Sequence, residues 1–108
     1  MVLIHIAVRC KDNKEAAKQF YNLRCCLEDQ EIHINRLDYA NWIVGSKICR
    51  VRFYSNTGSE EWRNSKVDLA FGFSSIEQRD ILKEGRKVRR KFVDFDADYT
   101  EELLKYFE

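Results

Sequence analysis

The chain has no proline, only four glycines and one methionine. No apolar run approaches the roughly 20 residues that a membrane-spanning helix needs. Without proline there is no proline-rich linker at which to divide it, and no repeat or low-complexity tract interrupts its 108 residues. A chain of this length reads as one domain, residues 1–108, with a modest core. Its apolar opening, Met1 to Val8, has no positive region before it and no small-residue cleavage site after it. That segment is expected to be a first strand, not a signal peptide.

Chemical equipment is missing too. No Gly-x-x-x-x-Gly-Lys-Ser/Thr phosphate loop occurs anywhere. Cys10, Cys25, Cys26 and Cys49 form no C-x-x-C pair, and His5 and His33 stand alone, so no zinc ligand set can be read. Neither histidine accompanies a recognisable nucleophile motif: His5 reads as a neutral core residue and His33 as a surface one. The thiols are expected to stay reduced and to pack as small hydrophobes, as in a cytoplasmic protein. Adjacent Cys25 and Cys26 would face different sides of a helix and bridge only under strain. No metal and no cofactor is implied.

What is present is 44% hydrophobic and 13% aromatic, enough large apolar groups to offset the entropy of folding despite a 34% charged content. Residues 2–8 are apolar apart from His5, the pattern of a strand buried on both faces in a parallel sheet. Asp12-x-x-Glu15 is a capping box opening a helix whose Ala16, Phe20, Leu23 and Leu27 form one stripe, with Lys14, Lys18 and Arg24 outside it. Glu31 to Asn35 alternates as a short second strand, while residues 36–44 fit neither period. Lys47 to Ser55 predicts a strand with Cys49, Val51 and Phe53 on one face and Arg50, Arg52 and Tyr54 on the other. After a loop at residues 56–59 comes a buried strand, Val67 to Phe73. Ser74-x-x-Glu77 caps a helix that is expected to stop at Gly85. A last strand over Val88 to Phe95 and a third box, Asp98-x-x-Glu101, starting a terminal helix complete the chain. Asp94, Asp96 and Asp98 alternate as a small acidic ladder, read as a polar strand face and a helix cap rather than a metal site. The fold class is α/β, a single small domain with a mixed sheet of about five strands and two or three helices.

Two stretches carry a family likeness. Ile4-His5-Ile6-Ala7-Val8-Arg9 followed by Asn13-Lys14-Glu15-Ala16 resembles the strand and helix after the phosphate loop of phage terminase and helicase-like ATPases. Gly45-Ser46-Lys47-Ile48, Arg52-Phe53-Tyr54-Ser55, Arg63 and Val67-Asp68-Leu69 resemble their later hairpin strand and the strand that carries the Walker B acids. The likeness spans residues 4–73 and departs where the chemistry would lie: the phosphate loop is missing, and Gly72-Phe73 replaces the acidic pair. No functional residue of that family carries over. The resemblance implies a phage-borne scaffold that has lost ATP chemistry.

The surface is charged unevenly around a net charge of +1. Lys83, Arg86, Lys87, Arg89, Arg90 and Lys91 crowd one segment, and acids dominate the residues after it. Arg50 and Arg52 beside Tyr54 read either as a solvated face paired with carboxylates or as a surface that grips phosphates and stacks a base, on a face expected to be open or at an edge. Trp62, flanked by Glu60, Glu61, Arg63 and Asn64, is expected to be partly exposed and to anchor a partner. Trp42, beside Ile43 and Val44, reads as a lid over the core. The expectation is a non-catalytic, phage-encoded accessory protein in the host cytoplasm that occupies a protein partner through Trp62, Arg63, Arg50, Arg52 and Tyr54. An inhibitor of a host defence system, such as an anti-CRISPR protein, is a natural instance. The alternative is a nucleic-acid-binding domain using Arg50, Arg52 and the basic segment, with Arg86, Lys87, Arg89, Arg90 and Lys91 on phosphates. Self-association is open under either reading, and no membrane partner is expected.

Overall fold

The computed structural model describes residues 3–55, 61–64, 66–83 and 98–108. Strand β1, Ile4–Cys10, leads through Asp12 into helix α1, Asn13–Asp29, where the Asp12 side chain accepts from the Glu15 N–H at 2.8 Å. The expected stripe of Ala16, Phe20, Leu23 and Leu27 is fully buried, and Gln19 is buried with it. Two short strands follow, β2 (Arg36–Asp38) and β3 (Ile43–Gly45), then β4, Cys49–Ser55. A 3-10 turn at Glu61–Asn64 precedes β5, Leu69–Phe71, and helices α2 (Ser75–Ile81) and α3 (Thr100–Leu104) complete the described residues. No helix among the described residues is long and apolar enough to cross a membrane.

The five strands make one mixed sheet in the order β2-β3-β4-β1-β5. Strand β1 pairs in parallel with both β4 and β5, while β2, β3 and β4 run antiparallel. One face is closed by α1 and α3: Ile6, Val8, Cys49, Val51, Phe53 and Phe71 pack there with the α1 stripe and with Tyr99, Leu103 and Phe107. Among the described residues, the other face is closed only in part. Ala7, Tyr54, Trp62, Val67, Phe73, Ile81 and Leu82 form a second, smaller core beneath the 3-10 turn and α2. Coverage of both faces explains why Ile6, Ala7 and Val8 are consecutively buried, as the unbroken apolar run of β1 foretells.

Several expectations need correction. Residues 31–35 are not a strand: Glu31 takes a φ of 57°, and the Ile32 N–H donates back to the Leu27 carbonyl at 2.9 Å, so this segment is the exit from α1. The strand begins at Arg36. It turns back on itself because Asp38 Oδ1 accepts from the N–H groups of Ala40 and Asn41, with Trp42 at φ 51°. At α3 the third capping box does not form. Asp98 Oδ1 accepts from the Thr100 N–H and hydroxyl, one residue before the expected Glu101, and the helix has no side-chain cap bond at Tyr99. The box at Ser74 is complete in both directions, Glu77 N–H to Ser74 Oγ at 3.2 Å and Ser74 N–H to Glu77 Oε1 at 3.0 Å. Its helix ends at Ile81, before the expected stop at Gly85, which lies outside the described residues together with the loop at 56–59 and the strand expected at 88–95.

Candidate functional site

The partly covered face of the sheet carries the sharpest surface signal of the sequence. On β1 the residues facing this way are His5, Ala7 and Arg9, and their partners on β4 are Arg50, Arg52 and Tyr54 in that order. Across the antiparallel ladder, β3 sets Gly45 opposite Arg50 and Ile43 opposite Arg52. Ala7 is fully buried in the second core, and a Cβ at Gly45 would press on the Cys49 carbonyl oxygen and on Arg50. The lid formed by the 3-10 turn and α2 sits over the Arg9 and Tyr54 end of these strands. At the other end lies a cavity of about 220 Å³ whose wall includes His5, Ile43, Arg50, Arg52, Tyr54 and Lys66.

Arg50 stands on an interior strand, so its face is open without being at a sheet edge. The side chain is half-buried, its Nε is buried without a hydrogen-bond partner, and no carboxylate among the described residues pairs with it. Arg52 lies over the Tyr54 ring, 4.5 Å from its centroid. Lys66 is exposed and donates to the Asp80 carbonyl oxygen at 2.8 Å, a neutral acceptor that leaves its charge uncompensated. The nearest acid, Asp68, is engaged elsewhere: its Oδ2 accepts from the His5 backbone N–H at 2.9 Å and from Lys83 Nζ at 3.3 Å. His5 is therefore a half-buried wall of the cavity rather than a core residue. Burial, with Lys83 and Arg50 adding to it and Asp68 opposing, pulls its pKa below the usual 6.5. The ring is neutral at pH 7 and can donate or accept one hydrogen bond.

The other expected contact residues divide. Trp62 is 1% exposed, and the expectation of an exposed anchor is overturned. Its ring meets Phe73 edge-on at 5.1 Å, with the Arg9 guanidinium 5.5 Å and the Arg63 guanidinium 5.1 Å from its centroid. Arg9 in turn is paired with Glu77. Burial raises the Glu77 pKa, but the Ser74 N–H and hydroxyl and Arg9 outweigh it and hold the carboxylate below its usual range. Trp62 is thus the keystone of the second core. Tyr54 is only 6% exposed and lies under Arg52, so it props the arginine and offers no face for stacking a base. Arg63 is exposed, lies 3.5 Å from Asp80 and is not part of the cavity wall. Arg86, Lys87, Arg89, Arg90 and Lys91 lie outside the described residues.

Gly72-Phe73, at the end of the strand where the ATPase likeness would need acids, has a structural task. Gly72 adopts φ +79°, and a Cβ there would collide with the Arg9 carbonyl oxygen. Phe73 is fully buried beside Trp62. Sequence reasoning missed His5 and Lys66 as site residues. His5 was legible from strand register with Arg50, whereas Lys66 joins only through the fold. Among the described residues no cluster of His, Cys, Asp and Glu could hold a metal ion. Comparison with protein-family models, with curated proteins and with solved structures finds no match.

Proposed function

We propose that the chain is a non-catalytic binding module that holds a protein partner against the half of its sheet that the described residues leave uncovered, with Arg50 as the central contact. One observation carries the reading: a half-buried guanidinium on an interior strand has no acidic partner among the described residues. The buried Nε of Arg50 has no acceptor among the described residues, and a partner's anionic group would supply one. Among the described residues, Arg50, Arg52 and Lys66 converge on one small cavity, which suits a single anionic group better than a run of backbone phosphates. With Tyr54 covered, the stacking surface that a single strand uses is missing at this site. In a phage setting, which the family likeness implies, such a module acts in the host cytoplasm by occupying a partner's surface, as an inhibitor of a host defence system does.

The test is capture by the purified chain from nuclease-treated host lysate, repeated with Arg50→Glu and with Lys18→Glu on the exposed side of α1. A partner retained by the parent chain and by Lys18→Glu but lost by Arg50→Glu supports the reading. Retention that nuclease treatment abolishes would replace it with nucleic-acid binding.

A further inference from the structure

We infer that the cavity beside Arg50 is a binding site for a phosphate monoester dianion, carried on a phosphorylated side chain of the protein partner. This inference rests on the proposed protein-binding role and names the chemistry of its anchor.

The argument begins with charge. Two cations at the cavity, Arg50 and Lys66, have no carboxylate partner among the described residues, and the second is bonded only to a backbone carbonyl. A carboxylate would neutralise one of them. A phosphoserine-type group carries about −1.5 to −2 charges at neutral pH and has three strong acceptor oxygens, so it can answer both. Geometry agrees. Arg50 presents a planar fork suited to two oxygens at once, and Lys66 is a mobile point charge suited to the third. Neutral His5 adds a ring N–H as a donor without adding to the charge of Arg50, Arg52 and Lys66. The rest of the wall is apolar or already engaged: Ile43 closes one side, and Arg52 is held over Tyr54. Asp68, the acid that would repel a dianion, has the His5 N–H and Lys83 close to its charge.

The experiment titrates the intact chain, at pH 7.5 and constant ionic strength, with five probes followed by NMR. These are inorganic phosphate, N-acetyl-phosphoserine amide, its unphosphorylated parent, acetate and a single-stranded oligonucleotide. The expected result is saturable binding of phosphate and of the phosphoserine amide, with shifts centred on His5, Arg50 and Lys66. Both should bind at least about tenfold more tightly than acetate, and the unphosphorylated parent should not bind. Arg50→Gln should weaken both phosphorylated probes by about tenfold or more. Lys66→Gln, at an exposed position, should weaken them by a smaller factor. Acetate binding as well as phosphate would overturn the dianion assignment. Phosphate bound while the phosphoserine amide is excluded would overturn the assignment to a partner's side chain in favour of free phosphate. Tighter binding of a single-stranded oligonucleotide than of the phosphoserine amide would overturn it in favour of nucleic acid. If no anion binds but partner capture still depends on Arg50, this inference fails and the protein-binding role stands. Loss of both removes both.

Discussion

The guanidinium of Arg9 lies 5.5 Å from the ring centroid of Trp62, joining the first strand of the chain to a turn that local sequence marks as polar. The pair ties together both halves of the second core, because Trp62 also meets Phe73 and Arg9 also meets Glu77 at the start of α2. Trp62→Ala is expected to lower unfolding free energy by about 3–5 kcal/mol, the range for emptying a large aromatic site. Denaturant titration measures this directly. A midpoint unchanged from the parent would place Trp62 outside the core.

Gly72→Ala is expected to destabilise as well, by a different route. The left-handed φ of +79° costs a side chain roughly 1–2 kcal/mol, and the collision with the Arg9 carbonyl adds to it. Thermal melts of the two single variants and of the Gly72→Ala, Trp62→Ala double variant should show non-additive losses, since Arg9 touches both sites. Strict additivity would show that the turn and the second core are independent.

These two residues also show where the sequence was readable. Strand β1, the α1 stripe and the Ser74 box each rest on information carried within a few residues: period, cap and spacing. The mixed five-stranded α/β architecture followed from their order. Trp62 was misread because its burial is supplied from elsewhere, by Arg9 from β1 and Phe73 from the end of β5, while its chain neighbours are charged. The second strand was misplaced because Ile32 and Ile34 alternate for another reason. They pack against the core as the chain leaves α1, and the turn signal that fixes the hairpin is Asp38 with Asn41. At the site, the pairing of Arg50 and Arg52 on one face was legible, but the half-closed lid above them was not.

Thiol chemistry offers an independent check on the main core. Burial pushes Cys10 and Cys49 up to about 12, whereas Cys25 is exposed on α1. A maleimide at neutral pH is expected to modify Cys25 first, with Cys26 slower, and to reach Cys10 and Cys49 only after denaturant is added. Mass spectrometry of the labelled peptides reads the order. The raised pair also has a sign in pH. The folded chain keeps protons that the unfolded chain releases above about pH 9, so stability is expected to fall as pH climbs from 9 towards 12. Early labelling of Cys49 would contradict its place in the main core.

At the acid side His5 sets the direction. Its folded pKa lies below 6.5, so between that value and 6.5 the unfolded chain binds more protons. Its contribution to stability is present above pH 6.5 and lost as pH falls through the folded pKa. Burial, Lys83 and Arg50 lower that pKa and Asp68 raises it, so Arg50→Gln is expected to move the titration upward and shrink the loss. Imidazole NMR and denaturant midpoints at pH 7.5 and 5.5 report the two effects separately. A His5 titration at or above 6.5 in the parent chain would show that the ring does not face these cations.

The position of β1 constrains how this domain comes into being. Its seven residues precede both of their sheet partners along the chain, yet the sheet places them between β4 and β5. While the chain is still emerging from the ribosome, Ile6, Ala7 and Val8 have no neighbour to join until Cys49–Ser55 follows, and none on the other side until Leu69–Phe71 appears. Helix α1 can coil locally in that interval, but the apolar strand ahead of it must wait. The domain therefore closes in one late step, and an interrupted translation product ending before β5 carries an unshielded hydrophobic strand, a natural substrate for chaperones.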